Sequence, residues 1–183
     1  PMISQVIPSI PKLLKGAVHR GTREDQGSGQ GMSFYDTFIN KVDKKGRVSI
    51  PVSFRSTLKA SKFYGVTLSK CRGLKCIEGN TRETIEMFTR RVHQQYGQGD
   101  PRLMALSVSL FAGQKEAPCD PESRIVLPDQ LRDFAGIDDH AAIVGIGPKF
   151  MIWNPNAYKV FEEEQMALAD DAYLDLPSLY GDE

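Results

Sequence analysis

The chain has 183 residues, of which 40% are hydrophobic and 25% charged, enough apolar material for the core of one or two small domains. This composition excludes a chain that is disordered throughout, and polar residues interrupt every apolar run before the roughly 18 residues that a membrane-spanning helix needs. The formal net charge is zero. The N-terminal segment has no unbroken apolar stretch typical of a secretory signal, so we expect a cytoplasmic protein.

The zero net charge hides an uneven distribution. Residues 32–94 contain thirteen Lys and Arg against five Asp and Glu, whereas residues 95–183 contain six against sixteen. A basic half joined to an acidic half is expected if one part faces a polyanion. The alternative is that the oppositely charged halves attract each other, within one chain or between copies.

A repeat with an offset of 77 residues organises the chain. Residues 43–55 align with residues 120–132, and both copies contain Asp, then Arg four positions later, then Pro, then a second Arg. Further matches are Phe34 with Phe111, residues 66–68 with 143–145, and Cys76 with Trp153. The sequence therefore predicts two copies of one unit of roughly 60 residues within 32–169.

Each copy is predicted to form a strand, a tight turn, a second strand, a short helix, two strands and a longer helix. Asp43 and Gly46 stand at the first and fourth places of a type I turn, and Asp120 begins the same turn in the second copy. The β-branched runs that follow favour strands. Pro51 and Pro128 suit the first position of a short helix.

The longer helix of the first copy is amphipathic, with apolar residues every three or four positions behind a polar capping signal. The apolar positions are Ile85, Phe88, Val92 and Tyr96, and the capping signal is Asn80 with Glu83. Its counterpart is outlined less regularly by Tyr158, Phe161, Gln165 and Leu168. Residues 103–111 fit either a helix or a buried strand. We expect residues 1–31 to be a flexible extension and the acidic residues 170–183 to be a mobile tail.

The doubled motif resembles the MraZ family of bacterial transcriptional regulators, as do Phe111, Ala112 and Gly113 before the second copy and Trp153 after it. The resemblance implies an α+β fold of two pseudo-repeated AbrB-like swapped-hairpin β modules with short helices, residues 32–99 and 100–169. It also implies a ring-shaped homo-oligomer that represses the division and cell wall gene cluster by binding short direct repeats in its promoter.

The chain departs from the family pattern at two places. The usual glycine is absent after Phe34, and Ser123 occupies a place where glycine is typical. Neither change affects the basic residues of the first copy.

The two turns differ in charge. Lys44 and Lys45 form the tip of the first turn, flanked by Lys41 and Arg47, whereas the second turn has Pro121 and Glu122 beside Arg124. Bases on a projecting hairpin neutralise phosphates and release counterions, and an arginine can also read a guanine edge in the major groove. The sequence therefore predicts that the first copy contacts double-stranded DNA, at the nucleoid, through Lys41, Lys44, Lys45, Arg47 and Arg55.

The other motif residues are predicted to be structural, namely Asp43, Gly46, Pro51, Asp120, Arg124, Pro128 and Arg132. For Arg47 and Arg124 the alternative to a DNA contact is an ion pair with the preceding aspartate. Acidic neighbours favour that ion pair for Arg124, and clustered lysines favour DNA for Arg47. Arg55 and Arg132 share one place in the short helices, so a shared structural role is an equal alternative for them.

Motifs of enzymes are missing from the sequence, which has no Walker loop, nucleophile elbow or dinucleotide fingerprint. We therefore expect no catalysis, cofactor or small-molecule substrate. The spacing of Cys71, Cys76 and Cys119 and of the three histidines does not indicate a metal site, and the cysteines are interpreted as core or surface thiols. Two other functions stay open: an assembly or adaptor protein whose halves join head to tail, and an AbrB-like antitoxin.

Overall fold

Helices and strands follow one another in the predicted order within residues 33–173, the part of the chain that the computed structural model describes. The first repeat contains β1 (Thr37–Lys41), β2 (Arg47–Ser49), α1 (Val52–Ala60), β3 (Gly65–Lys70), β4 (Ile77–Asn80) and α2 (Arg82–Gln95). After α3 (Pro101–Phe111), the second repeat contains β5 (Lys115–Pro118), β6 (Arg124–Val126), α4 (Asp129–Ala135), β7 (His140–Gly145), β8 (Phe150–Trp153) and α5 (Pro155–Tyr173). The α+β class is confirmed.

The two repeats build one six-stranded sheet, in the order β1-β7-β8-β4-β3-β5. Strand β1 of the first repeat pairs with β7 of the second, and β5 of the second pairs with β3 of the first. Strands β4 and β8 join the halves at the centre, and β2 pairs with β6 in a separate ribbon where Val48 faces Ile125. Because each repeat supplies strand neighbours to the other, the predicted swapped-hairpin arrangement is confirmed.

The 77-residue offset applies to the first hairpin of each repeat but not to the later strands. Thr67 pairs with Glu116 as Ala142 pairs with Ile39, so Thr67 and Ala142 are equivalent. Their partners on the next strands, Asn80 and Trp153, are equivalent in turn.

The matches of Cys76 with Trp153 and of residues 66–68 with 143–145 are therefore wrong. Two length differences between the repeats explain the shift. Helix α4 has 7 residues against 9 in α1. The connection between β7 and β8, residues 146–149, is also shorter than the connection between β3 and β4, residues 71–76.

Phe34 and Phe111, which the sequence alignment matched, have different surroundings. Phe34 is fully buried, with its ring centroid 5.0 Å from those of both Phe54 and Phe150. Phe111 is the last residue of α3 and lies against Phe88 of α2. Residues 103–111 thus belong to a helix rather than a buried strand, and no residue of α3 is buried.

The main core fills one face of the six-stranded sheet. Alternate residues of the strands point to this face, and the β2–β6 ribbon, α1 and α4 cover it. Phe54 and Leu58 come from α1, and Leu131 and Ala135 come from α4. The opposite face carries a smaller cluster that includes Cys76 and Met151, where Trp153 stacks on Phe161 of α5 with 4.7 Å between ring centroids.

The long helices differ from prediction in two details. Thr81, not Asn80, caps α2, because its side chain accepts a hydrogen bond from the Thr84 N–H while Asn80 ends β4. Of the predicted apolar face of α2, only Val92 is buried.

The predicted ends of the chain are only partly described. Helix α5 continues to Tyr173, so the first residues of the segment 170–183, predicted to be a mobile tail, are helical. The rest of that segment and residues 1–31 lie outside the described residues. No helix within 33–173 has both the length and the hydropathy needed to cross a membrane.

Replacing Phe54 by alanine is expected to lower the free energy of unfolding by about 3–5 kcal/mol, because its ring contacts three other aromatic rings in the core. Urea unfolding followed by the fluorescence of Trp153, the single tryptophan, measures this loss. Val52→Ala in the same helix is the matched control, since Val52 is 75% exposed and its loss should stay within about 0.5 kcal/mol. A loss below about 1 kcal/mol for Phe54→Ala would contradict this packing.

Candidate nucleic-acid interface

The first turn is fixed by the carboxylate of Asp43. One oxygen accepts hydrogen bonds from the backbone N–H groups of Lys45 and Arg47, at 2.8 and 3.0 Å. The other accepts from Nε of Arg47 at 2.7 Å. The backbone N–H of Arg47, together with its guanidinium and the N–H of Lys45, lowers the pKa of Asp43 to about 2. Asp43 is therefore ionised at neutral pH and holds the turn in a single geometry.

The second turn has the same geometry. Asp120 accepts from the backbone N–H groups of Glu122 and Arg124 at 3.0 and 2.8 Å, and from Nε of Arg124 at 2.8 Å. The N–H of Arg124 and its guanidinium lower the pKa of Asp120 below its ordinary value. The two turns thus share a scaffold and differ in the side chains that they display.

Both turns require a left-handed residue at their fourth place. Gly46 has φ of +74°, and Ser123 in the second turn has φ of +59°. A side chain at φ near +60° is strained, which glycine avoids. Ser123 is buried, and its hydroxyl lies 2.8 Å from the hydroxyl of Tyr64. The second turn therefore has a side-chain hydrogen bond that a glycine at this position could not form.

Each turn is attached to the other repeat. The carbonyl of Gly46 accepts a hydrogen bond from the N–H of Leu127, and the carbonyl of Ser123 accepts one from the N–H of Ile50, both at 2.9 Å. Between them lies the β2–β6 ribbon, in which Arg47 is paired with Val126. The first turn is therefore positioned by the second repeat, at one end of the β2–β6 ribbon.

The side chains at the two tips have opposite electrostatic character. Lys41, Lys44 and Lys45 are exposed, and none of them forms an ion pair within residues 33–173. At the second tip Glu122 is exposed and forms an ion pair with Arg124. Only the first turn offers unneutralised positive charge to a polyanion.

Arg47 lies in the ion pair that was the alternative to a DNA contact. Its Nε contacts Asp43, and 37% of its side chain is exposed. Within the described residues no hydrogen bond involves its terminal Nη groups. Arg124 differs, because its Nη2 contacts both Asp120, at 2.8 Å, and Glu122. Arg47 is thus oriented by Asp43 and keeps one edge of its guanidinium available.

The short helices place the remaining motif residues. Pro51 and Pro128 are the N-cap residues of α1 and α4, one position earlier than predicted. Arg55 is half-buried and donates from Nε to the carbonyl of Ile50 at 3.0 Å. Arg132 contacts Asp129, and its buried Nε has no hydrogen-bond partner in the described part of the chain.

A second basic group was not singled out by sequence analysis. It lies at the tip of the β3–β4 hairpin and consists of Lys70, Arg72 and Lys75. The ammonium groups of Lys70 and Lys75 lie 4.9 and 4.7 Å from the ring centroid of Phe134 in α4. Three bases within six residues, between two apolar strands, are the signal that could have found it.

Side chains that could bind a metal ion are scattered in residues 33–173. No cluster of three His, Cys, Asp or Glu side chains that could hold a metal ion occurs there. On α2, Arg82 contacts Glu116 and lies over the ring of Phe63, whereas Arg90 and Arg91 are exposed.

Comparison with known proteins identifies relatives that span both repeats. The family model described as "MraZ protein, putative antitoxin-like" matches residues 110–174. "Transcriptional regulator MraZ" of Rhodospirillum rubrum is 36% identical over 126 residues, covering 68% of this chain and 81% of that protein. The protein of the same name from Parvibaculum lavamentivorans is 37% identical over 133 residues, covering 72% and 82%. The one from Phenylobacterium zucineum is 33% identical over 143 residues, covering 78% and 88%.

Gly46→Ala is expected to lower the free energy of unfolding by about 2–4 kcal/mol, because of the positive φ and because the added Cβ would lie 2.9 Å from the carbonyl oxygen of Leu127. Gly73→Ala is the matched control, since Gly73 has φ of +76° but no atom within 4 Å of its Cβ position. The control should lose only about 1 kcal/mol. Equal losses in urea unfolding would show that the contact with Leu127 does not constrain the first turn.

Proposed function

The chain belongs to the MraZ family, and we propose that it is a transcriptional regulator that binds double-stranded DNA through the basic turn of its first repeat. The relatives are named as transcriptional regulators, which supports the first part. One observation carries the second part: two turns of the same geometry display Lys44 and Lys45 in one case and Pro121 and Glu122 in the other. A shared scaffold does not require this difference, whereas a polyanionic ligand at one turn does.

The contacts of the first turn suggest how it would bind. Lys41, Lys44 and Lys45 would neutralise phosphates and release condensed counterions, which supplies affinity without sequence preference. Arg47 would read a guanine edge with its two terminal nitrogens while Nε stays on Asp43. The ion pair therefore does not compete with base recognition. It orients the guanidinium before DNA arrives and reduces the entropy lost on binding. Arg55 would stabilise the chain next to the ribbon through its hydrogen bond to the carbonyl of Ile50.

Specific recognition would require several copies of the turn. One hairpin touches only a few base pairs, whereas regulators commonly prefer their sites over random DNA by about 4–10 kcal/mol. A ring of identical subunits on short direct repeats would multiply the contacts. Exposed apolar side chains on three helices support self-association, namely Met87 and Phe88 of α2, Met104 and Val108 of α3, and Val160 and Met166 of α5.

The remaining parts of the proposal follow from the family. We place the protein in the cytoplasm at the nucleoid, as a repressor of the division and cell wall gene cluster. It would act without catalysis, a cofactor or a small-molecule substrate.

A second candidate function is that of an antitoxin, which the words "putative antitoxin-like" in the family description favour. In that case the chain would hold a small toxin protein. Co-expression with the product of a small neighbouring gene, followed by size-exclusion chromatography, distinguishes the antitoxin from the regulator. A stable complex of the two proteins that binds DNA as tightly as the chain alone favours the antitoxin.

Arg47→Ala is expected to weaken binding to a promoter fragment with tandem short repeats by about 1–3 kcal/mol, roughly 5- to 150-fold, measured by fluorescence anisotropy. Arg124→Ala is the matched control, because it removes the same Asp–Arg pair from a turn without free lysines. Its affinity should change little. Equal losses would mean that the two turns do not differ in role, and unchanged affinity in both would remove the proposal.

The double variant Lys44→Ala with Lys45→Ala is expected to flatten the salt dependence of binding, by about 0.9 in the slope of log K against log salt for each lost phosphate contact. Lys59→Ala with Lys62→Ala removes the same charge from exposed positions at the end of α1 and controls for net charge. An equal change in the control would show that the contact is not at the turn.

Met104→Glu with Val108→Glu is expected to reduce the molar mass measured by light scattering, because charges at these positions would oppose burial of α3 between subunits. Ser109→Glu, exposed on the same helix, is the control. A ring unaffected by the double variant would exclude this face from the interface. Assembly that salt abolishes and DNA does not influence would favour the adaptor alternative.

A further inference from the structure

Two cysteines face each other at the end of the β3–β4 hairpin. The ladder pairs Lys70 with Ile77, so the next two residues, Cys71 and Cys76, stand opposite each other. The N–H of Cys71 donates to the carbonyl of Cys76 at 3.0 Å. Residues opposite each other across an antiparallel pair have Cα atoms about 5.5 Å apart and side chains on the same face, which is within the range that a disulfide spans.

The two thiols have different surroundings. Cys76 is fully buried in the cluster on the α5 side of the sheet, with its Sγ 3.9 Å from Sδ of Met151. Cys71 is half-buried at the rim of the same cluster and lines an open cavity of about 690 Å³. The cavity is also lined by Lys70, Arg72 and Lys149. A small polar oxidant can therefore reach Cys71 but not Cys76.

The pKa values of the two thiols are shifted in opposite directions. The hydrogen bond with the Cys76 thiol, and more weakly the charge of Lys149, lower the pKa of Cys71, although burial and Glu78 oppose this. The same hydrogen bond, with burial, raises the pKa of Cys76. The third cysteine behaves differently, because burial raises the pKa of Cys119 to about 11. Since the thiolate is the nucleophile, Cys71 is the reactive thiol of the three.

We propose that Cys71 and Cys76 form a reversible dithiol–disulfide site that hydroperoxides oxidise, with Cys71 as the attacking and Cys76 as the resolving cysteine. The Cys71 thiolate attacks one oxygen of the peroxide, the O–O bond breaks, and the leaving oxygen takes a proton to become water or an alcohol. Cys71 is then a sulfenic acid. The Cys76 sulfur attacks it, the S–O bond breaks, and hydroxide leaves with the Cys76 proton as water. Two thiols lose two electrons and one peroxide gains them.

The disulfide would close the basic tip of the hairpin. It would tie residues 72–75 into a short loop, where Lys75 and the neighbouring Lys70 lie over Phe134 of α4. Helix α4 also carries Arg132, whose Nε lies 3.3 Å from the Cβ position at Gly46. The oxidised site would thus lie one helix away from the first turn. The inference concerns the thiols alone and does not depend on DNA binding.

The full-length reduced protein is titrated with hydrogen peroxide, alkylated, digested without reductant and analysed by mass spectrometry. We expect linked peptides containing Cys71 and Cys76, which dithiothreitol separates again. Cys76→Ser should stop at a sulfenic acid on Cys71 that a cyclic 1,3-dione traps, and Cys119→Ser should behave as the parent chain does. Cys71→Ser should slow peroxide consumption by at least about tenfold.

Three results would overturn the proposal: both cysteines alkylated after peroxide treatment, Cys119 oxidised before Cys71, or no sulfenic acid trapped at Cys71 in Cys76→Ser. Circular dichroism of each variant verifies that it is folded. Because the parent chain alone must yield the Cys71–Cys76 link, the test stands even if one variant does not fold.

Discussion

The structure depends on a reciprocal attachment between its two repeats. Each aspartate-centred turn is closed within its own repeat. Its fourth residue then accepts a hydrogen bond from the residue just before the N-cap proline of the other repeat, Gly46 from Leu127 and Ser123 from Ile50. The β2–β6 ribbon lies between these two contacts, and the core packs behind it. The geometry of each turn is thus set within its own repeat, and its position is set by the other repeat. A ribbon anchored at both ends is therefore available to present side chains.

The two turns have the same backbone geometry and different exposed side chains. The hydrogen bonds of Asp43 and Asp120 match within a few tenths of an ångström, so the backbone of both turns is under the same constraint. The exposed tips carry no such constraint, and there the equivalent residues Lys45 and Glu122 differ in sign. In both repeats the Nε of the arginine donates to the aspartate of the turn. Only in the second repeat does a terminal nitrogen of the arginine also contact a glutamate, Glu122.

The sequence repeat aligned the two copies correctly up to the short helices, where their segments have equal lengths, and incorrectly after them. The turn, both prolines and the order of elements could be predicted, because turn chemistry and β-branched runs are local signals. Cys76 could not be matched correctly, since a shorter α4 and a shorter β7–β8 connection shift the ladder, and an alignment without gaps does not detect that shift. The N-cap of α2 is Thr81 and not Asn80, because Asn80 is the last residue of β4. Phe88 follows a helical period, yet 45% of it is exposed.

By itself the sequence determined the family, the α+β class and the difference in charge between the turns, because these are written in residue types at short spacing. Only the tertiary structure decided that Arg47 is bonded to Asp43 with its outer edge open, that Arg55 supports a backbone carbonyl, and that two cysteines meet. Such contacts depend on strand register and on which residues a neighbouring element brings close. Register is a cooperative property of the whole sheet, which no single segment encodes.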